Sequence, residues 1–374
     1  MALTLEQRVL VAQAALGRSV VAVNPRVVAR LADGADPCLL ASSLDGRLTY
    51  GVKDSAAIPR EVLMRLAGDS GLLPLTIDHM ADLGRSVDTE LVNPLTYRPM
   101  TGSTSGGPIN VLKGINDFCV GTDGGGSVLA PALATNLYAL MAKGLGLVCE
   151  GKSRSTDRLA FRGGVGFIGR SLKVVLRAAE VASGEGLRCD SRPPAAVVVP
   201  TRGCVALPCG GDMRERLAPL LDVAGLGAEE RDFCDLYERE PTVRDLRELW
   251  GERPCACVVT FEGPVDVFSA DETIPRQFGG VGPSKVAGIR SKAQVKAVNM
   301  AGGSALCVPV GELACGMVVS CGPGAEALRG AVCVAGALEV AVRKTCPLPE
   351  VFERYFVDRA KPRCPVDVGA VFGL

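Results

Sequence analysis

The chain has one histidine in 374 residues, His79. A histidine-based catalytic triad would have to use it, and its place directly after Asp78 offers no spacing that supports this. A structural or exposed histidine is the expectation. Neither sign of charge is in excess: lysine plus arginine and aspartate plus glutamate both number 41. No global basic field exists to attract nucleic acid, which would need a local patch. No run approaches the ~20 apolar residues of a membrane span, and Met1–Glu6 lacks the positive start of a secretory signal. Cysteine is abundant, at 15. The odd number, the chain length and the missing export signal favour reduced thiols in a cytoplasmic protein, many of them packed in apolar runs, as at Cys307 and Cys333. Cys255-x-Cys257 has the wrong spacing for a zinc knuckle and no histidine near it, so no metal is expected.

What is present is two glycine–serine clusters. The first reads Thr101-Gly102-Ser103-Thr104-Ser105-Gly106-Gly107 and the second Gly121-Thr122-Asp123-Gly124-Gly125-Gly126-Ser127. Lys53 lies upstream in Tyr-Gly-Val-Lys-Asp. Two serines in glycine-rich turns with a lysine can form a nucleophilic site without histidine. Any such cluster taken alone is usually a turn, and a lone lysine after a strand is usually on the surface.

Together, in this order, the motifs resemble the amidase signature family of serine hydrolases. That family carries Val-Lys-Asp, then Gly-Gly-Ser-Ser-(Ser/Gly)-Gly, then Gly-Thr-Asp-Thr-Gly-Gly-Ser. The matching stretches are Val52-Lys53-Asp54, Gly102–Gly107 and Gly121–Ser127, with Asn93-Pro94 shortly before the first cluster. Two alignments exist. Read as Gly-Gly-Ser-Ser-Gly-Gly, the cluster puts Thr104 in the bridging position and requires one missing residue before Ser127. Read as the allophanate-hydrolase-like variant with three serines, it puts Ser103 there without a gap, aligns Gly114 with a family glycine and leaves Thr101 in place of another. The ungapped reading is preferred. Asn24-Pro25, Gly166–Ser171 and Asn299–Pro309 extend the resemblance over nearly the whole chain. It is shortened between Lys53 and Ser103 and between about 190 and 290.

The resemblance implies an α/β amidase signature fold, a mixed central sheet sandwiched between helices. It also implies a Ser–cis-Ser–Lys triad of Ser127, Ser103 and Lys53 that cleaves a small-molecule amide through an acyl-enzyme, with no metal or organic cofactor. Serine hydroxyls need a base. Here that is neutral Lys53, relayed through Ser103. Lysine ordinarily holds its proton to ~10.4, and burial would release it. The neighbouring Asp54 would oppose this, but adjacent side chains on a strand point to opposite faces. Gly124, Gly125, Gly126 and Ser127 can turn N–H groups inward to hold an oxyanion. Asp123, with Thr122, anchors that turn; Thr104 and Ser105 complete the candidate substrate contacts. Family members often carry an arginine two or three residues after the nucleophile, where Leu129 and Ala130 stand here, so a neutral amide fits better than one with a carboxylate at that place. Rival readings are a non-catalytic or repurposed binding or assembly subunit, and acyl transfer to an amine.

Hydrophobic periodicity gives the organisation. Leu5–Leu16, Arg60–Leu66, Pro131–Lys143 and Glu326–Arg343 read as helices, and Ser105–Lys113 as a helix or irregular turn. Arg47–Val52, Phe118–Val120, Ala195–Pro200, Cys257–Phe261, Ala305–Val310 and Gly316–Cys321 read as strands. Gly210–Arg253 reads as a charge-rich helical cap or outer layer. Gly164-x-Gly166-x-x-Gly169 matches a dinucleotide fingerprint, but without a clear preceding strand it reads as a loop. Alternating strands and helices give one α/β domain over 1–374, with a core from about 5 to 345 and a tail from 346. That tail holds Phe352, Tyr355, Phe356 and Phe372 in a chain with only ten Phe, five Tyr and one Trp. It is expected to dock onto the body or onto a partner subunit, including a second copy in a homodimer.

Overall fold

The computed structural model describes residues 3–32, 46–154, 159–188, 196–286 and 288–345. In chain order its strands are β1 (Val20–Val23), β2 (Leu48–Lys53), β3 (Leu72–Asp78), β4 (Val87–Val92), β5 (Pro99–Thr101), β6 (Phe118–Asp123), β7 (Tyr138–Met141), β8 (Ser153–Arg154), β9 (Ala160–Phe161), β10 (Gly164–Gly169), β11 (Ala196–Pro200), β12 (Glu229–Arg231), β13 (Ala256–Glu262), β14 (Ser304–Pro309) and β15 (Gly316–Cys321). One sheet runs β1-β3-β2-β6-β10-β7-β14-β15-β13-β11-β12, while β4–β5 and β8–β9 are separate pairs. The sheet is mixed. β2 is parallel to β3 and β6, and β11 is parallel to β12 and β13. The central pairs from β6 to β14 are antiparallel.

Alternation along the strands feeds two cores on opposite faces. On β6, Phe118 and Val120 enter one core and Cys119 the other. On β14, Leu306 and Val308 face one way, Ala305 and Cys307 the other. The first core is closed by helices Arg60–Gly68, Leu172–Ser183, Met213–Ala224 and Ala325–Thr345. The second is closed by Gly106–Leu112, Leu129–Ala134 and Arg239–Glu252. Across the first core Tyr50 stacks on Phe118, with ring centroids 5.1 Å apart, and Phe118 meets Phe167 edge-on at 6.5 Å. The N-terminal helix Leu5–Ala14 opens on a capping box between Thr4 and Gln7, which satisfies backbone donors at its start.

Several expectations need correction. Pro131–Lys143 is not one helix: helix Leu129–Ala134 ends, Asn136 turns with φ 49°, and β7 follows. β7 lies between β10 and β14 and is buried on both faces, and such a continuous apolar run has no period to distinguish it from a helix. Gly164–Gly169 is not a loop but β10, in the middle of the sheet. Its three glycines, poor strand formers, hide a segment whose Val165, Phe167 and Ile168 are fully buried. Of the two alternatives for Gly210–Arg253, it is the outer layer and not a cap: its two helices pack on opposite faces of the sheet, with β12 between them. Ten described cysteines are free. Cys333 departs from the reduced state expected for it, since it is disulfide-bonded; pairing, not only apolar packing, accounts for it. The aromatic tail from 346 lies outside the described residues. Among those described, no helix is long and apolar enough to cross a membrane.

Candidate active site

β2 and β6 are parallel neighbours, with Val52 opposite Val120. Their C-terminal ends therefore reach the same edge of the sheet and set Lys53 beside Thr122. Lys53 Nζ lies 2.7 Å from Ser103 Oγ and 2.8 Å from Thr122 Oγ1. Lys53 and Ser103 are each 3% exposed. Burial pushes the lysine down from 10.5 to about 8, against the pull of Asp123 and, to a lesser degree, Cys149. Removal from water disfavours the ammonium, and two hydroxyl partners replace little of that hydration. Asp54 is exposed just beyond the end of β2 and is not among the charges that act on the lysine.

Ser103 arrives from a different part of the chain, between β5 and helix Gly106–Leu112. Gly102, at φ 75°, makes the turn. Its N–H donates to the Ser86 carbonyl at 2.7 Å, and the Ser103 carbonyl accepts from Ala81 N–H at 3.2 Å. The resemblance implied a cis peptide at Ser103. The only cis peptide among the described residues is Gly263–Pro264. With glycine supplying the left-handed bend, Ser103 reaches Lys53 through a trans bond. Thr104 N–H donates to the Ser127 carbonyl at 3.3 Å, tying the two clusters together.

The second cluster is organised by Asp123, which is completely buried. Its carboxylate accepts from Gly126 N–H at 2.7 Å, Val128 N–H at 2.7 Å and Leu129 N–H at 3.3 Å. Burial raises its pKa, while those donors and Lys53 oppose the rise. Asn299 Nδ2 donates to the Asp123 carbonyl at 2.6 Å and fixes the turn from behind. Gly126 has φ 106°, a conformation that glycine tolerates and L side chains rarely adopt. Among the described residues, the N–H groups of Gly124, Gly125 and Ser127 have no protein acceptor.

Lys53, Ser103, Thr122, Gly124, Gly125 and Ser127 line one cleft of about 680 Å³. Asp123 reaches it as well. Three candidates do not face it as expected. Gly126 spends its N–H on Asp123. Thr104 packs against Gly121, where a Cβ would come within 2.5 Å of its Oγ1. Ser105 is buried and donates to the His79 carbonyl at 3.4 Å. His79 points elsewhere, with Nε2 3.1 Å from Asp88 Oδ2. Sequence reasoning read Thr122 only as a possible anchor of the turn. Its contact with Lys53 follows from the β2–β6 register, which no local pattern reveals. It also passed over Phe161, which packs on Gly124, and Arg85, Arg239, Lys292 and Lys296 on the cleft wall.

This layered architecture is the amidase signature fold. The chain is similar to a solved amidase, at TM-score 0.62 and 16% identity, over 91% of this chain and 95% of the other. It is also similar to a bacterial aryl acylamidase of the amidase signature family, at TM-score 0.58 and 15% identity, over 97% and 96% of the two chains. Allophanate hydrolase from Kluyveromyces lactis aligns at TM-score 0.58 and 13% identity, over 98% of this chain and 72% of that one. No sequence-family model and no curated protein sequence matches the chain.

Proposed function

We propose that the protein is an amide (C–N) hydrolase acting through a serine acyl-enzyme. The observation that carries this reading is the 2.7 Å contact between Lys53 Nζ and Ser103 Oγ, made in the cleft that Ser127 also lines. A lysine brought to about 8 has a substantial neutral fraction near neutral pH. Neutral Lys53 accepts the proton of Ser103, which in turn accepts that of Ser127. Ser127 Oγ then attacks the amide carbonyl. The oxyanion forms beside the N–H groups of Gly124, Gly125 and Ser127, and donors aimed at developing charge are typically worth ~3–4 kcal/mol each. The proton passes back through Ser103 to the amide nitrogen, and ammonia or an amine leaves. Water attacks the ester and restores Ser127. The fold shared with an amidase and an aryl acylamidase supports the same reaction class. The test is labelling with a fluorophosphonate followed by peptide mapping. Label on the Ser127 peptide, lost in Ser127→Ala, is the expected result; label elsewhere, or none on the folded protein, refutes the reading.

A further inference from the structure

Four cations line the cleft besides Lys53: Arg85, Arg239, Lys292 and Lys296. Three have visible engagements. Lys292 Nζ is 3.0 Å from Asp266 Oδ2, and Lys296 Nζ is 3.4 Å from Asp271 Oδ2. Arg239 Nε–H donates to the Lys296 carbonyl at 3.3 Å. Arg85 differs. Its Nε is buried with no acceptor, and its guanidinium makes no ion pair among the described residues.

Three carboxylates of the cleft wall, Glu272, Glu238 and Asp271, are committed to other groups. Glu272 Oε2 accepts from Ser86 Oγ at 2.6 Å and its Oε1 from Ile274 N–H at 3.3 Å. Glu238 pairs with Arg290 at 2.6 Å, and Asp271 faces Lys296. Arg85 is nevertheless held in place. Its neighbour Ser86 is fixed at both ends: the side chain on Glu272, the carbonyl on Gly102 N–H at 2.7 Å. Gly102 immediately precedes Ser103. The backbone that carries Arg85 is thus hydrogen-bonded to the turn that carries the proton relay.

Arg85 thus lines the cleft as a cation with no counter-charge among the described residues, a role that an anionic group on a ligand can fill. Its planar fork matches a carboxylate, which it can bind bidentately. We infer that Arg85 is a specificity-determining residue that pairs with a carboxylate on the amide substrate. The inference rests on the proposed hydrolase reading of this cleft. It moves substrate preference away from the neutral amide suggested by Leu129 and Ala130, because the cation comes from the opposite side of the sequence, before the first serine cluster. The carboxylate can sit on the acyl side of the amide or on the amine side.

Two matched substrate pairs separate those cases: glutaryl p-nitroanilide against its methyl ester, and N-acetyl-4-aminobenzoate against its methyl ester. In one pair kcat/KM should favour the acid, and Arg85→Gln should collapse that acid-to-ester ratio by about tenfold or more. Arg85→Lys should restore only part of it, because an ammonium lacks the fork. An unchanged ratio in both pairs overturns the inference, including the case in which all rates fall together. A binding arm keeps this apart from catalysis. Full-length Ser127→Ala is titrated calorimetrically with glutaramate, glutaramide, 4-acetamidobenzoate and 4-acetamidobenzamide. One acid should bind at least about tenfold tighter than its neutral partner, and adding Arg85→Gln should abolish the difference. Such binding without turnover of any amide would sink the hydrolase reading and leave the anion site standing. Equal affinities of acid and neutral partner in both pairs would sink the anion site alone.

Discussion

The protonation of Lys53 decides whether the proposed relay can run, so it yields the sharpest test. At the ordinary lysine value of 10.5, about one molecule in 3,000 would be neutral at pH 7. At about 8, the value burial gives Lys53, the neutral share is about one in 11. The gain is roughly 300-fold, or about 3 kcal/mol at 1.36 kcal/mol per tenfold. On an uncharged amide or ester, kcat/KM should therefore rise about tenfold between pH 7 and 9 and then level off. The assay is a pH series at constant ionic strength. Lys53→Ala should remove most activity and, in whatever remains, the ascending limb. Lys53→Arg should be nearly as damaging, because guanidinium stays protonated. His79→Ala should keep both activity and the limb. A limb centred below pH 7 that vanishes in His79→Ala and survives in Lys53→Ala would refute the reasoning.

The same shift has a stability signature. Between pH 8 and 10.5 the unfolded chain holds the Lys53 proton and the folded chain does not, so stability rises with pH across that window. Below pH 8 both states are protonated, and the fold carries the whole cost of the buried ammonium, up to about 3 kcal/mol. Lys53→Met removes that cost but also the hydrogen bonds to Ser103 and Thr122, worth about 1 kcal/mol each. The balance is a gain of about 1 kcal/mol at pH 7, read from urea unfolding, which should shrink or reverse by pH 10.

Ser103→Ala should lower kcat/KM by about 10² or more, the usual scale of a lost proton-transfer step. Thr104→Val should retain activity and change stability by less than about 1 kcal/mol, because Thr104 Oγ1 is buried without a partner; the reverse ranking would place the relay on Thr104. Gly126→Ala forces a side chain onto φ 106°, with its Cβ 2.9 Å from Val295 Cγ1. Thermal unfolding should report a loss of about 1–3 kcal/mol, and fluorophosphonate labelling of Ser127 should slow with it.

The parts of the site that could be read from sequence are those carried by short continuous runs. The two glycine–serine clusters and Val52-Lys53-Asp54 each announce themselves locally, and the cleft gathers Lys53, Ser103 and Ser127. The same holds for the fold. β11, β13, β14 and β15 are short apolar runs, bounded by polar or glycine-rich segments, and each lies within about a residue of its expected span. β10 was hidden by its glycines, and β7 by being apolar on both faces. What sequence does not carry is register between distant strands. Pairing Val52 with Val120 sets Thr122 against Lys53, and the same edge makes Asp123, not the adjacent Asp54, the carboxylate that acts on the lysine. Adjacency in the chain thus misleads about electrostatics, because Asp54 lies exposed past the end of β2 whereas Asp123 is buried, where its charge is less screened. Arg85 is the extreme case. Nothing local separates it from the chain's other arginines. Only the fold brings it to the cleft wall, where its neighbour Ser86 is hydrogen-bonded to Gly102 and Glu272. Motifs therefore mark the proposed reacting atoms, whereas the groups proposed to select a substrate emerge from contacts between segments far apart in the chain.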